Sequence, residues 1–178
     1  MADKKFREGF AVLHRRGHSF DAWLYHPQID ELASLADAFP DAKIVLNHCG
    51  GPVAIQAYRR DEVFPGWKKS IEALAKRPNV HVKLGGLGMR IGGHGFEKQA
   101  DPPSSQTLAD AWRPYIETCV AAFGPARGMF ESNFPVDKGS YSYPVFWNAC
   151  KLLAKGASPA EKADLFHGTA SRFYRLGI

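Results

Sequence analysis

A chain of 178 residues with 45% hydrophobic, 12% aromatic and 23% charged residues has the profile of a globular protein with a substantial core. At roughly 100–200 residues per domain, this length predicts one compact domain over 1–178 and excludes a closed eight-unit α/β barrel, which typically takes about 250. The formal charge of +5 invites a nucleic-acid reading. However, Arg15-Arg16, Arg59-Arg60 and Lys68-Lys69 are isolated doublets without interleaved aromatics, so no nucleic-acid partner is expected.

No window approaches the roughly 18 consecutive apolar residues of a membrane helix, and the run from Met1 to Glu8 lacks the apolar core of a secretory signal. A cytoplasmic protein without a membrane partner is the expectation. Cys49, Cys119 and Cys150 are odd in number, widely spaced and without a C-x-x-C, so they read as reduced thiols.

Along the chain, residues 3–16 predict a helix, with Phe6, Phe10 and Leu13 at i, i+4 and i+7 spacing and Gly17 as its stop. Ser19 to Tyr25 reads as a strand and His26-Pro27-Gln28 as a turn. Ile29 to Phe39 carries one apolar helical face and is ended by Pro40. Lys43 to Leu46 is a short buried strand running into Asn47-His48-Cys49-Gly50-Gly51-Pro52, where Gly and Pro force a turn. After an irregular stretch, Trp67 to Ala75 reads as a helix.

Val80 to Leu84 is a third strand, followed by Gly85-Gly86-Leu87-Gly88 and a loop to about Ser105, long enough to suggest a functional or flexible segment. Leu108 to Phe123 predicts a helix that Pro114 must kink unless it sits within a first turn. Gly128 to Glu131 leads a fourth strand into Ser132-Asn133-Phe134-Pro135. Tyr143 to Leu153 is helical, and Ser158-Pro159-Ala160-Glu161 is a capping box opening a helix to about Phe166. Thr169 to Tyr174 is a final short helix. Strands alternating with helices imply parallel βα units, with active residues at the C-terminal strand ends.

The unusual residues cluster at those ends: Tyr25-His26, Asn47-His48, Leu84-Gly85 and Ser132-Asn133. A histidine just past a buried strand and before Gly-Gly-Pro suits a metal ligand or a carbonyl-polarising group, and the alternative is a hydrogen-bonded structural histidine. One histidine alone does not define a metal site. His14 and His18 straddle Gly17 near a helix stop, and His81, His94 and His167 read as structural. Asp137 is a candidate general base with Asn133 as its orienting partner, and the alternative is a pair of solvated turn residues. Glu131 shares a face with Asn133 if the strand continues. The glycine run lacks the ending of a phosphate-binding loop, and no nucleophile elbow or H-E-x-x-H is present.

The segments SFDAWLYHPQ, KIVLNHCGGP, NVHVKLGGLGM, MFESNFPVDKGSYSY and LFHGTASRFYRL, in that order, resemble the amidohydrolase-related TIM-barrel hydrolases. Within them, the likeness is to the branch holding L-fuconolactone and pyrone-dicarboxylate hydrolases. The resemblance implies an α/β fold in which the strands are the fifth to eighth of a (β/α)8 barrel, the C-terminal half. It implies a hydrolase of a lactone or related cyclic ester, acting on a small-molecule substrate by water attack on a polarised carbonyl.

The same resemblance makes His48 the sixth-strand histidine that binds metal or polarises the carbonyl, and places the family's general-base aspartate on Asn133. Water activation then falls to Asp137 unless the chemistry differs. Tyr25 matches a substrate-contacting region, and Lys83 is a second substrate-binding candidate. A divalent metal, zinc or manganese, belongs to the complete family. Its His-x-His has no counterpart here, so the metal site is incomplete and the chain alone is expected to be inactive or nearly so. The rival expectation is a non-catalytic truncated or decayed paralogue, or a half-barrel that associates with itself or with an N-terminal half through open sheet edges.

Overall fold

The computed structural model describes residues 1–177. Among them lie four strands, β1 (Ser19–Ala22), β2 (Lys43–Leu46), β3 (Val80–Leu84) and β4 (Gly128–Phe130), paired parallel in the order β1-β2-β3-β4. Chain order equals spatial order, so there is no switch point of the kind that divides a doubly wound sheet. The arrangement is that of consecutive staves of a barrel.

The helices are α1 (Lys4–Arg15), α2 (Ile29–Ala38), α3 (Arg60–Leu74), α4 (Ser105–Phe123), α5 (Tyr143–Leu153), α6 (Pro159–Ala163) and α7 (Thr169–Tyr174). Strand alternation decides which face each side chain joins. Ile44, Leu46, Val80, Val82 and Leu84 are fully buried in one large core with Leu32, Leu35, Trp67, Ile71, Leu108 and Phe146 from the helices. Residues one step out of phase, Asp21, Val45, His81, Lys83 and Met129, occupy the other face. There Phe173 of α7 packs on Val45 and Met129 in a second, smaller cluster.

The ends of α1 and α6 follow the sequence signals. Asp3 caps α1 by accepting from the Phe6 N–H at 2.9 Å, and Phe10 sets its ring against Phe20 and Phe39. Ser158 and Glu161 form the reciprocal capping box of α6.

Four elements differ from expectation. The first strand stops at Ala22 rather than Tyr25, because β2 ends at Leu46 and its chain turns away, leaving Trp23 to Tyr25 without a ladder partner. Helix α3 begins at Arg60 rather than Trp67. Pro65 removes one backbone donor there, while Asp61 and Glu62 in the first turn suit the helix dipole. Helix α4 starts a turn early, capped by Ser104, and takes Pro114 in its interior. The last helical stretch breaks at Ala163 into a π-type turn over Asp164–Gly168 before α7. No described helix is long and apolar enough to cross a membrane.

Candidate functional site

The C-terminal ends of the strands gather a connected polar group. After β2 the backbone enters the left-handed region at His48 (φ 56°) and Cys49 (φ 50°). Such a conformation costs about 1–3 kcal/mol for a non-glycine residue and persists only where its surroundings over-determine it. Those surroundings are specific: the buried Trp67 indole of α3 donates to the Cys49 carbonyl at 2.8 Å, and the Gly51 N–H donates to the His48 carbonyl at 2.9 Å. The turn aims the His48 side chain at Glu131, just past β4. The Glu131 carboxylate accepts from the His48 backbone N–H at 3.1 Å, and the same oxygen pairs closely with His48 Nδ1.

The imidazole is sandwiched. Trp23 presents its ring edge-on at 4.6 Å between centroids, and a side chain on Gly86 would lie 2.5 Å from the His48 ring, so only glycine fits there. Gly88 does the same for Tyr141, whose ring would be 2.3 Å from an added Cβ. His48 and Glu131 are left only 14% and 16% exposed in their side chains, enclosed but still reachable. Tyr25 stands beside Trp23 at 5.7 Å and is half exposed at the rim.

Lys83 lies on the same sheet face, one element across from Glu131. Its ammonium donates to Asp21 at 2.7 Å and lies 3.8 Å from the second Glu131 oxygen. Tyr174 of α7 also donates to Asp21, at 2.8 Å. Burial alone would lower the Lys83 pKa, but the Asp21 and Tyr174 hydrogen bonds and the Glu131 charge outweigh it and raise it. A polar chain therefore runs Tyr174, Asp21, Lys83, Glu131, His48, touching all four strands or their ends.

Asn133 and Asp137 form a separate unit. Asn133 is in the left-handed region (φ 52°), and its amide donates to Asp137 Oδ1 at 2.9 Å. Tyr141 donates to Asp137 Oδ2 at 2.5 Å, and the aspartate is 1% exposed. Burial pushes the Asp137 carboxyl above its usual range, against the opposing pull of Tyr141, Asn133, nearby His48 and the Gly88 backbone. Both of its oxygens are engaged, so it faces protein groups rather than an open cavity.

The sequence candidates thus fall into two groups. His48 and Lys83 join the polar chain with Tyr25 at its rim, while Asn133 and Asp137 form the adjoining unit. Glu131, Trp23 and Asp21 complete the site. For Glu131 the available signal was alternation: it lies two residues past Met129, on the same face.

Among the described residues no three His, Cys, Asp or Glu side chains converge as a metal ligand set. His48 has one carboxylate partner, and the Lys83 ammonium already stands beside that carboxylate. Those residues do not by themselves build a divalent-metal centre.

Consecutive parallel βα units with their polar residues collected at the C-terminal strand ends are the layout of a (β/α)8-barrel enzyme, here as half a barrel. The chain belongs to the amidohydrolase family, Amidohydro_2, whose profile matches residues 1–176. It is 42% identical over 172 residues to y4mH, an uncharacterised protein of Sinorhizobium fredii, covering 97% of this chain and 52% of that one. It is 29% identical over 179 residues to an L-fucono-1,5-lactonase of Burkholderia multivorans, covering 98% and 57%. A crystal structure of a B. multivorans amidohydrolase with bound zinc superposes with a TM-score of 0.82 at 26% identity, over 97% of this chain and 58% of that one. The chain therefore spans about half the length of the relatives it matches.

Proposed function

We propose that this chain carries the fifth to eighth βα units of a hydrolase acting on a lactone or related cyclic ester, with His48 and Glu131 as its acid-base pair. The observation that carries this reading is the double grip of Glu131 on His48. A carboxylate at Nδ1 fixes the ring and its tautomer and leaves Nε2 to take a proton. In the step envisaged, water attacks the lactone carbonyl carbon as His48 Nε2 takes its proton. The ring C–O bond then breaks, and the imidazolium returns the proton to the departing ring oxygen, giving a hydroxy acid.

In this scheme the Asn133 amide is assigned to the developing oxyanion, and Asp137 with Tyr141 holds that amide in place. Asp137 is a positioning residue in this scheme. Trp23 and Tyr25 supply an aromatic wall for a small cyclic substrate. Support comes from the lactonase relatives at 29% and 28% identity. No metal step is included, because the donor set of this chain does not fit one.

General acid–base catalysis contributes about 10²–10⁴-fold, and this chain provides only part of the walls of a closed barrel pocket. Slow hydrolysis of L-fucono-1,5-lactone above buffer is expected in a pH-stat assay, with the increment removed by His48→Ala. An increment indifferent to that substitution sinks the reading.

The sheet offers a second reading. Strands β1 and β4 each have one ladder neighbour among the described residues, and unpaired edges favour association. A concentration-independent monomer in sedimentation would count against self-association through them.

A further inference from the structure

At the opposite end of the sheet from His48, a hollow of about 200 Å³ is lined by Asp41, Lys43, Asn79, His81, Arg172 and Phe173. Its position follows from the chain: Lys43 opens β2, Asn79 precedes β3, and α7 lays Phe173 across the sheet face. The His81 ring packs on Phe173 at 4.8 Å between centroids, and its Nδ1 is buried without a hydrogen-bond partner. Leaving a buried polar atom unpaired costs about 1–3 kcal/mol, and in a native protein such an atom commonly marks a place where water or an ion binds.

The charges that reach His81 are all cationic: Arg127, Lys43 and Arg172. Arg127 is locked against the Ala75, Arg77 and Val80 carbonyls, so its charge is fixed beneath β3. Arg172 is anchored by Asp164 at 2.8 Å and by Thr169 at 3.2 Å, which orients its guanidinium. Lys43 forms no ion pair among the described residues. Asp41 is the one carboxylate lining the hollow.

We infer that this hollow is a binding site for a small tetrahedral oxyanion, a phosphate or phosphoryl group, held by Lys43 and Arg172 with the His81 ring beside them. The volume fits that class, since a water occupies about 30 Å³ of the liquid and the space admits one such anion with part of its hydration. With Lys43 and Arg172 both lining the hollow, an ammonium and a guanidinium are at hand for the point-charge and bidentate contacts that phosphate takes. Burial and the three surrounding cations hold the His81 pKa at about 4, so the ring is neutral at pH 7 and offers one N–H. An anion among these cations would relieve that field.

The test is a titration of the full chain at pH 7 with inorganic phosphate, followed by the His81 ring resonances in ¹H–¹³C NMR at constant ionic strength. A saturable shift is expected, weakened at least five-fold in Lys43→Gln and in Arg172→Gln and retained in Arg172→Lys. Both variants alter exposed or half-exposed groups, and circular dichroism checks that they fold. A phosphomonoester arm, methyl phosphate, separates the sources: tighter binding than inorganic phosphate assigns the site to a phosphorylated metabolite, and equal or weaker binding to free phosphate. A linear shift that sodium chloride reproduces, or a saturable shift unchanged in both Gln variants, overturns the proposal.

Discussion

Glu131 accepts from both the backbone N–H and the imidazole of His48 across 83 residues of sequence, joining the end of the fourth strand to the turn after the second. One carboxylate thereby fixes a left-handed backbone and a ring orientation together. Glu131→Gln keeps the size but removes the charge, and hydrogen bonds to charged groups contribute about 1.5–3 kcal/mol. The wild-type ring is expected as the Nδ1–H tautomer. In the variant, ¹⁵N-resolved histidine spectra should report a mixture with Nε2–H, and an unchanged tautomer would refute the role assigned to Glu131.

Gly86→Ala tests the packing of that ring. The new Cβ meets the His48 ring at 2.5 Å on a backbone with φ of +67°. Left-handed strain and overpacking together predict a loss of about 2–4 kcal/mol. Urea denaturation measures it, and a loss under about 0.5 kcal/mol would mean that the ring is not confined as described.

Stability should fall on mild acidification because of His81 and His94. Burial and nearby cations, Arg127 first for His81 and Arg60 for His94, hold both imidazoles at about 4 rather than 6.5. Between those values the unfolded chain binds protons that the folded chain refuses. Unfolding free energy therefore decreases as pH drops from 6.5 towards 4. In denaturation curves, His81→Gln combined with His94→Gln should flatten this slope, and an undiminished slope would assign it elsewhere.

Much of the architecture was legible because short buried strands and helical periods are local signals. Lys43–Leu46, Val80–Leu84 and Tyr143–Leu153 lie where composition and spacing place them. The early half of α3 was hidden by Pro65-Gly66, a pair that reads as a breaker although the helix tolerates it beyond its first turn. The site was legible only in its parts. His48 stood out through its Gly-Gly-Pro context, whereas no local pattern names His48 and Tyr141 as the side chains that Gly86 and Gly88 accommodate. For Asp137 the sequence left a general base and a solvated turn residue as alternatives, and the structure buries it between Asn133 and Tyr141. The partnership of Glu131 with His48 depends on strand order and register, which no local pattern encodes.

Metal content gives an independent check. With no three His, Cys, Asp or Glu side chains converging among the described residues and Lys83 beside Glu131, the chain dialysed against dilute zinc should retain well under one equivalent. Elemental analysis showing a full equivalent, lost in His48→Ala, would establish a centre that this donor set does not predict.

The central claim is that His48 and Glu131 act as a unit, and a double-mutant cycle on L-fucono-1,5-lactone hydrolysis tests it most directly. Rates are compared for the wild type, His48→Ala, Glu131→Gln and the double variant, with residues that act together expected to be strongly non-additive. The account predicts that His48→Ala alone removes nearly all of the increment above buffer and that adding Glu131→Gln costs little more. Losses that multiply independently would contradict it.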